Sequence, residues 1–425
     1  MNATRFIAWL QTAEAEKRLR AIYPAGDIEN ERARYSALAQ SHRDFFGDKE
    51  GLLLVSAPGR TEIAGNHTDH NHGRVLAASI NLDTVCAIAP NDTGIAMLRS
   101  EGYERLFLVD LSDLSVRDDE KETSLAIIRG VAARMKELGY EIGGFNAVVT
   151  STVLKGSGLS SSAAFEVMLA AALDALYNKN DMDPLVRAKL CQYAENRYFD
   201  KPCGLLDQAA SSVGGLVTMD FKSEEVGVEA LSYDFESKGY ALAVVSAGGD
   251  HGNLTADYAA IPAEMKQVAR ALGGEYLRDI EKDVFLERIP AIKNKVPDRA
   301  ILRAMHFYDE DERVPMLVSA LKNDDLDTFF AGIIASGESS WKLLQNIYVP
   351  ARPNQEMALA LAMSEHMLRG KGAWRIHGGG FAGTILAFVP LAMMDEYTRR
   401  MNAVFGKNAV TRLSVRPVGP AVLNL

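Results

Sequence analysis

Apolar positions recur along this chain in two alternating periods. Helical spacing marks the residues up to about Phe46, rich in Ala, Glu and Arg, then Leu125 to Leu138, Ser161 to Tyr177, Pro184 to Tyr198 and Ala256 to Leu272. The last of these holds Pro262, which a helix interior tolerates poorly. A mostly helical stretch runs from Pro297 to Gly370. Shorter apolar runs read as strands: LLLVSA (Leu52 to Ala57), ended by Pro58-Gly59; VLAASINLDTVCAIAP (Val75 to Pro90), one strand or two; GGFNAVVTSTV (Gly143 to Val153); and YALAVVSA (Tyr240 to Ala247). The end of the chain, WRIHGGGFAGTILAFVP and later AVTRLSV, reads strand, glycine turn, strand, helix, strand. The charged, strand-poor region from Lys222 to Lys238 marks the expected domain boundary.

A chain of 425 residues suggests two or more domains with ample core. Its 48% hydrophobic and 24% charged residues are ordinary globular material. The net charge of −10 argues against nucleic acid or an anionic membrane as partner. Cys86, Cys191 and Cys203 are too few and too scattered for a disulfide framework or a zinc site. MNATRFIAWLQTAEAEKRLR carries charge throughout, without the apolar core of a signal peptide, and no run approaches the roughly 20 apolar residues that span a bilayer. A cytoplasmic location is expected.

KGSGLSSSAAFEV (Lys155 to Val167) lies between a strand and a helical run. Glycine lets backbone amides approach an anion, and a helix N-terminus presents unpaired N–H groups and partial positive charge. Serine hydroxyls can cap the helix, touch phosphate oxygens or ligate a hard cation. This reads as a phosphate cradle, or as a serine-rich capping turn. It is not a standard P-loop, because no Lys-Ser or Lys-Thr pair ends it.

Three further segments carry chemistry. APGRTEIAGNHTDHNHG (Ala57 to Gly73) packs Arg60, Glu62, Asn66, His67, Asp69, His70, Asn71 and His72 into a short span. So many polar groups between two apolar strands suggest a loop facing a ligand, with donors and acceptors suited to carbohydrate hydroxyls. The histidines also invite a metal reading. In AENRYFDKPCGLLDQAASSVGG (Ala194 to Gly215), Glu195 on a helix and Asp207 after a tight turn either converge on one site or serve as surface glutamate and helix cap. HGGGFAGT (His377 to Thr384) allows close backbone approach or a tight bend.

The order APGR-x-E-x-x-G-N-H-T-D-H-N-x-G, GSGLSSSAA, GGGFAGT resembles the GHMP small-molecule kinases. Within them it is most similar to the galactokinases, whose first motif is similar to GR-x-N-x-IGEHTDYN-x-G and whose catalytic aspartate lies in a segment like CGLLDQ (Cys203 to Gln208). The likeness runs from about Tyr35 to the C-terminus and leaves residues 1–34 as a helical N-terminal extension. It implies an α+β fold of two domains: an N-terminal one like ribosomal protein S5 domain 2 (35–225) and a ferredoxin-like C-terminal one (226–425).

The implied activity is transfer of the ATP γ-phosphoryl group to the anomeric hydroxyl of a hexose, galactose first. Gly156, Ser157, Gly158, Leu159, Ser160, Ser161 and Ser162 would hold ATP, and Ser162 and Glu195 would ligate Mg²⁺. Asp207 would take the hydroxyl proton and Arg60 would orient Asp207 and stabilise charge. Asn66, His67, Asp69, Gly204 and Tyr258 would bind the sugar. The implied partners are a small-molecule sugar and ATP, without nucleic acid or membrane, the chain being a monomer or weak oligomer.

The chain departs from the family's pattern at Glu62 (usually Asn), Asn66 (usually Glu) and His70 (usually Tyr), and Ser124 stands in place of a tryptophan near the adenine. The family's Glu at position 66 sits by the sugar's far hydroxymethyl group. A neutral Asn66 with a donating His67 beside it therefore makes a modified galactose such as galacturonate the alternative substrate. A silent sugar sensor on the same fold is a second alternative, which the intact Ser160-Ser161-Ser162, Arg60, Glu195 and Asp207 disfavour.

Overall fold

Two long antiparallel strands, β1 (Leu53–Ala64) and β2 (Arg74–Pro90), form the spine of the molecule. The structure is a computed structural model that describes residues 1–423 apart from 104, 154–157, 224, 249–253, 350–351 and 382. The spine belongs to an eight-stranded sheet with β3 (Ile95–Ser100), β4 (Leu106–Asp110), β5 (Phe145–Ser151), β6 (Leu216–Asp220), β7 (Gly227–Leu231) and a C-terminal strand, Ala421–Leu423. The C-terminal strand flanks β1, β5 flanks β2, and β3 and β4 complete that edge, while β6 and β7 continue from the other half of β2. Only the β3–β5 pairing is parallel among the described strands of this sheet.

Both faces of the central strands are covered, which explains their unbroken apolar runs. Val55, Ala57, Cys86, Ile88, Ala147 and Val149 join one core. Their alternating neighbours Leu54, Val85, Ala87 and Val148 join a second core with three N-terminal helices, α1 (Ala3–Leu10), α2 (Ala13–Ile22) and α3 (Ile28–Phe46). The side-chain period of two sends each set to its own layer. Asp83, fully buried, pins this layer: it accepts from Arg34 Nη1 at 2.7 Å and Arg416 Nη1 at 3.1 Å, and from the Tyr23 and Ser56 hydroxyls. The N-terminal layer is therefore built into the sheet. α3 runs through the expected limit at residue 34.

The first core is closed by α4 (Ser124–Glu137), α5 (Ser161–Tyr177) and α6 (Pro184–Ala194), with α7 (Leu206–Val213) beside them. The second sheet is antiparallel, in the order β11 (Val410–Leu413), β8 (Tyr240–Gly248), β10 (Gly383–Pro390), β9 (Ala373–His377). On it pack α11 (Leu326–Ser339), α12 (Glu356–Leu368) and α13 (Met394–Phe405), while α10 (Asp298–Lys322) packs against α11 and forms a separate core with α8 (Thr255–Ala271) and α9 (Lys282–Ile292). α8 continues through Pro262, held by burial of Ile261, Met265 and Val268. This is the expected α+β arrangement of two domains. The expected boundary at 225/226 differs from the sheet's own limits: β7 lies beyond it yet pairs with β6, and Ala421–Leu423 pairs with β1. No helix among the described residues is long and apolar enough to cross a membrane.

One difference from the sequence expectation sets the site. Pro58-Gly59 does not end β1; the register shifts between Pro58 and Arg60 and the strand runs on to Ala64. A bulge accommodates the proline, which has no N–H to give the ladder. A Cβ on Gly59 would lie 2.7 Å from the Leu159 carbonyl oxygen, so only glycine lets the serine loop lie against the strand here. Arg60 and Glu62, two residues apart on the continued strand, project to one face.

Candidate active site

The serine loop is stapled to β1. The Arg60 N–H donates to the Leu159 carbonyl at 3.1 Å, and Arg60 Nη1 donates to the carbonyl of Gly158. Ser160 sits just before α5 in the left-handed region, φ 57°, which few non-glycine residues occupy, and its hydroxyl makes no capping hydrogen bond. It delivers Ser161 and Ser162 to the first turn of α5, where unpaired N–H groups gather. Leu159 is buried beneath them as an anchor. Gly158 also has positive φ, 72°, and its added Cβ would meet His377 Nδ1 at 3.2 Å, so the strand before the third glycine cluster supports the loop from behind. Gly156 and Ser157 lie outside the described residues.

Asp207, in the first turn of α7, meets this loop. Arg60 donates to its Oδ1 through Nε at 2.7 Å and Nη2 at 2.6 Å, and the Ser160 hydroxyl donates to Oδ2. The Arg60 side chain is 12% exposed and that of Asp207 33%, so the pair faces an opening with the arginine behind the carboxylate. Ser160, expected on the nucleotide, thus also orients Asp207.

Glu195 opens a π turn (Glu195–Phe199) that continues α6, the kind of local widening found at functional sites. The extra residue swings its carboxylate under the head of α5, where the Ser162 hydroxyl donates to Oε1 at 3.2 Å. Lys201 Nζ donates to the same oxygen at 3.0 Å, and Gln208 Nε2 donates to Oε2 at 2.6 Å. Gln208 also reaches the fully buried Glu166 at 3.1 Å. Burial, then the charge of Glu195, pushes the Glu166 carboxyl well above the usual range. Burial likewise pushes the Cys203 thiol up.

Beyond Asp207 opens a cavity of about 210 Å³, smaller than the pockets of about 300–1,000 Å³ that take drug-sized ligands. Arg60, Glu62, Asn66, His67, Asp69, Gly204 and Asp207 all line it, together with the Gly378-Gly379 turn. Asn66 is buried with its amide fully engaged: Nδ2 donates to Glu62 Oε1 at 3.0 Å and to the Gly378 carbonyl at 2.7 Å, and Oδ1 accepts from Asn346 Nδ2 at 3.0 Å. Its carbonyl sits 2.9 Å from His306 Nε2. His67 Nε2 lies 2.9 Å from the Gly379 carbonyl, which requires that nitrogen to carry the proton. Loss of solvent around the ring pushes its pKa down to about 4, leaving His67 neutral.

Asp69 Oδ2 lies within 3.0 Å of a Cβ placed on Gly204, so the absence of a side chain there keeps that carboxylate in the cavity. Tyr258 stands behind the turn rather than among the lining residues, donating to the Gly380 carbonyl at 2.7 Å. His70 Nε2 lies 3.7 Å from Asp69 Oδ1, and His72 stacks on Tyr276 at 3.7 Å.

Glu166, Gln208, Lys201, Asn346 and Arg375 have no part in the sequence-based site. Arg375 is fully buried in β9, donating to Glu62 Oε1 at 3.0 Å and to the Ile63 carbonyl at 2.6 Å. A lone arginine inside the apolar strand AWRIH is the one such signal in the sequence.

The galactokinase galactose-binding signature matches residues 40–90, and the GHMP kinases N terminal domain matches residues 126–215. The chain is 31% identical over 376 residues to galactokinase from Streptomyces coelicolor, covering 87% of this chain and 92% of the relative. It is 30% identical over 400 residues to galactokinase from Homo sapiens, covering 91% and 97%. Among solved structures, Lactococcus lactis galactokinase complexed with galactose matches with a TM-score of 0.78 at 22% identity, over 91% of this chain and 99% of that one. The Methanococcus jannaschii mevalonate kinase matches with a TM-score of 0.62 at 15% identity, over 86% and 99%. These two likenesses concern the fold.

Proposed function

Because the chain belongs to the galactokinase family, we propose that it transfers the γ-phosphoryl group of ATP to the anomeric hydroxyl of galactose, with Asp207 as the proton acceptor and Arg60 as its orienting partner. The observation that carries these roles is the double grip of Arg60, which holds Asp207 with Nε and Nη2 and the Gly158 carbonyl of the serine loop with Nη1. One guanidinium thereby sets the distance between the sugar's proton acceptor and the phosphate cradle. Phosphoryl transfer asks mainly for such positioning and for charge stabilisation. The sugar oxygen forms its bond to phosphorus as the bond to the β-phosphate oxygen breaks; ADP leaves, and the hydroxyl proton passes to Asp207.

The loop residues Gly158, Leu159, Ser160, Ser161 and Ser162 would cradle the nucleotide's phosphates with the N–H groups heading α5. Ser162 and Glu195 are hard oxygen donors 3.2 Å apart, the type Mg²⁺ takes beside a nucleotide. Bound there, Mg²⁺ would neutralise charge on the phosphates.

Geometry does not favour the galacturonate alternative. Both donors of the Asn66 amide are engaged, His67 is neutral with its N–H engaged, and Glu62 adds a carboxylate to the wall. ADP release with ATP, Mg²⁺ and a panel of hexoses and uronic acids tests the function. Galactose should be turned over best; absence of ADP release with every hexose would refute the kinase reading.

A further inference from the structure

We infer that Glu62 sets sugar specificity, its carboxylate accepting a sugar hydroxyl away from the reacting one and turning away sugars that carry an acid group. The inference rests on the sugar-kinase reading above. Glu62 stands two residues from Arg60 on β1 and lines the same cavity. Its Oε1 is fixed by Arg375, a fully buried cation that is itself tied to the strand through the Ile63 carbonyl, and by the Asn66 amide. Its Oε2 accepts from none of the described residues, and the side chain is 13% exposed, at the cavity wall.

The neighbours cannot take that part. Asn66 has both amide hydrogens and its oxygen engaged within the protein, and the His67 N–H is on Gly379. Their role is to hold the wall. Asp69 and Asp207 bring two more carboxylates to the same cavity. A neutral polyol finds acceptors there, whereas a uronic acid brings a fourth negative charge to a confined space, where like charges disfavour one another strongly.

The test is Glu62→Gln, which leaves Arg60 and Asp207 in place. Its kinetics are measured with galactose, the 2-, 3-, 4- and 6-deoxy derivatives, and galacturonate. A hydrogen bond to a charged group is worth roughly 10- to 100-fold, so KM for galactose should rise by about that factor with kcat little changed. One deoxy sugar, poor with the wild type, should lose its disadvantage. The preference for galactose over galacturonate should narrow by a similar factor. Because the change leaves buried Arg375 without its carboxylate, the exchange Glu62→Asn with Asn66→Glu is made in parallel. It keeps one carboxylate and one amide in contact and should change which deoxy sugar is penalised.

Thermal unfolding confirms that each variant is folded. A folded variant with an unchanged deoxy-sugar profile and an unchanged uronate preference would overturn the inference, as would galacturonate turnover by the wild type matching that of galactose. Either outcome leaves galactose phosphorylation intact, whereas failure of the kinase reading would show as no turnover of any hexose.

Discussion

Asp207 and Glu166 are carboxyl groups on neighbouring helices, and their surroundings set them apart. The Asp207 side chain is one-third exposed at a cavity mouth and is gripped by an arginine and a serine. Glu166 is fully buried and meets the amide of Gln208, with the Glu195 carboxylate nearby. The first environment aims a carboxyl group into the cavity. The second favours a protonated one, because burial and a like charge both raise the pKa. In the proposed mechanism, environment decides which carboxyl takes the proton and which fills the scaffold. The first turn of α7 serves both, since Asp207 faces the cavity and Gln208 faces the glutamates.

The comparison breaks first at Asp207. Asp207→Asn keeps the shape and removes the proposed proton acceptor, and turnover should fall by about 10²–10⁴-fold while ATP binding, followed by titration calorimetry, persists. Near-normal kcat would make Asp207 a helix cap. Arg60→Lys should follow closely, because a point charge cannot hold Asp207 and the Gly158 carbonyl together.

Glu195→Gln comes next. Activity should drop and partly recover at high Mg²⁺; an unaltered Mg²⁺ dependence would place Glu195 outside the metal site. Glu166→Gln should leave activity near the wild-type level, since an amide mimics the protonated carboxyl. Its stability effect has a definite sign. The folded pKa lies well above the ordinary 4.5, so the unfolded state ionises first and the wild type loses stability as pH rises past that value. The melting temperature of Glu166→Gln should therefore match the wild type in acid and exceed it increasingly towards neutrality. A constant difference across that range would show that Glu166 is ionised in the folded state. The smallest expected effect concerns His67. With a pKa pushed down to about 4, it should impose no step on KM for galactose around its ordinary value of 6.5. A step there that disappears in His67→Gln would show that the ring titrates while bound to Gly379.

Much of this was legible in the sequence because chemistry and spacing coincide. Ser161 to Tyr177 forms α5 at the expected limits, and Arg60, Asp207, Ser162 and Glu195 converge from three separate motifs. Pro58-Gly59 misled, because a bulge lets a strand pass through a proline that a regular ladder would reject. β3, β4 and α9 went unread; each is short or polar on one side, and tertiary packing makes the decision there. The cavity wall was illegible for another reason. Asn66 looks like a free donor in sequence, and only its contacts with Glu62, Gly378 and Asn346, up to 312 residues away, show that it is not. The N-terminal helices had no readable role until the strands beneath them proved apolar on both faces.

The sheet of the first domain also bears on how the chain is made. β1 leaves the ribosome long before one of its neighbours, Ala421–Leu423, and Ser56 beside Asp83 waits for Arg416 across 360 residues of sequence. During synthesis β1 can pair with β2 and be covered by α1–α3, but one side of it stays an open edge while the whole second domain is translated. Open edges are where strands from different chains meet. A nascent chain of this kind is at greatest risk of misassociation while the second domain is being translated, and chaperone dependence should concentrate in that interval.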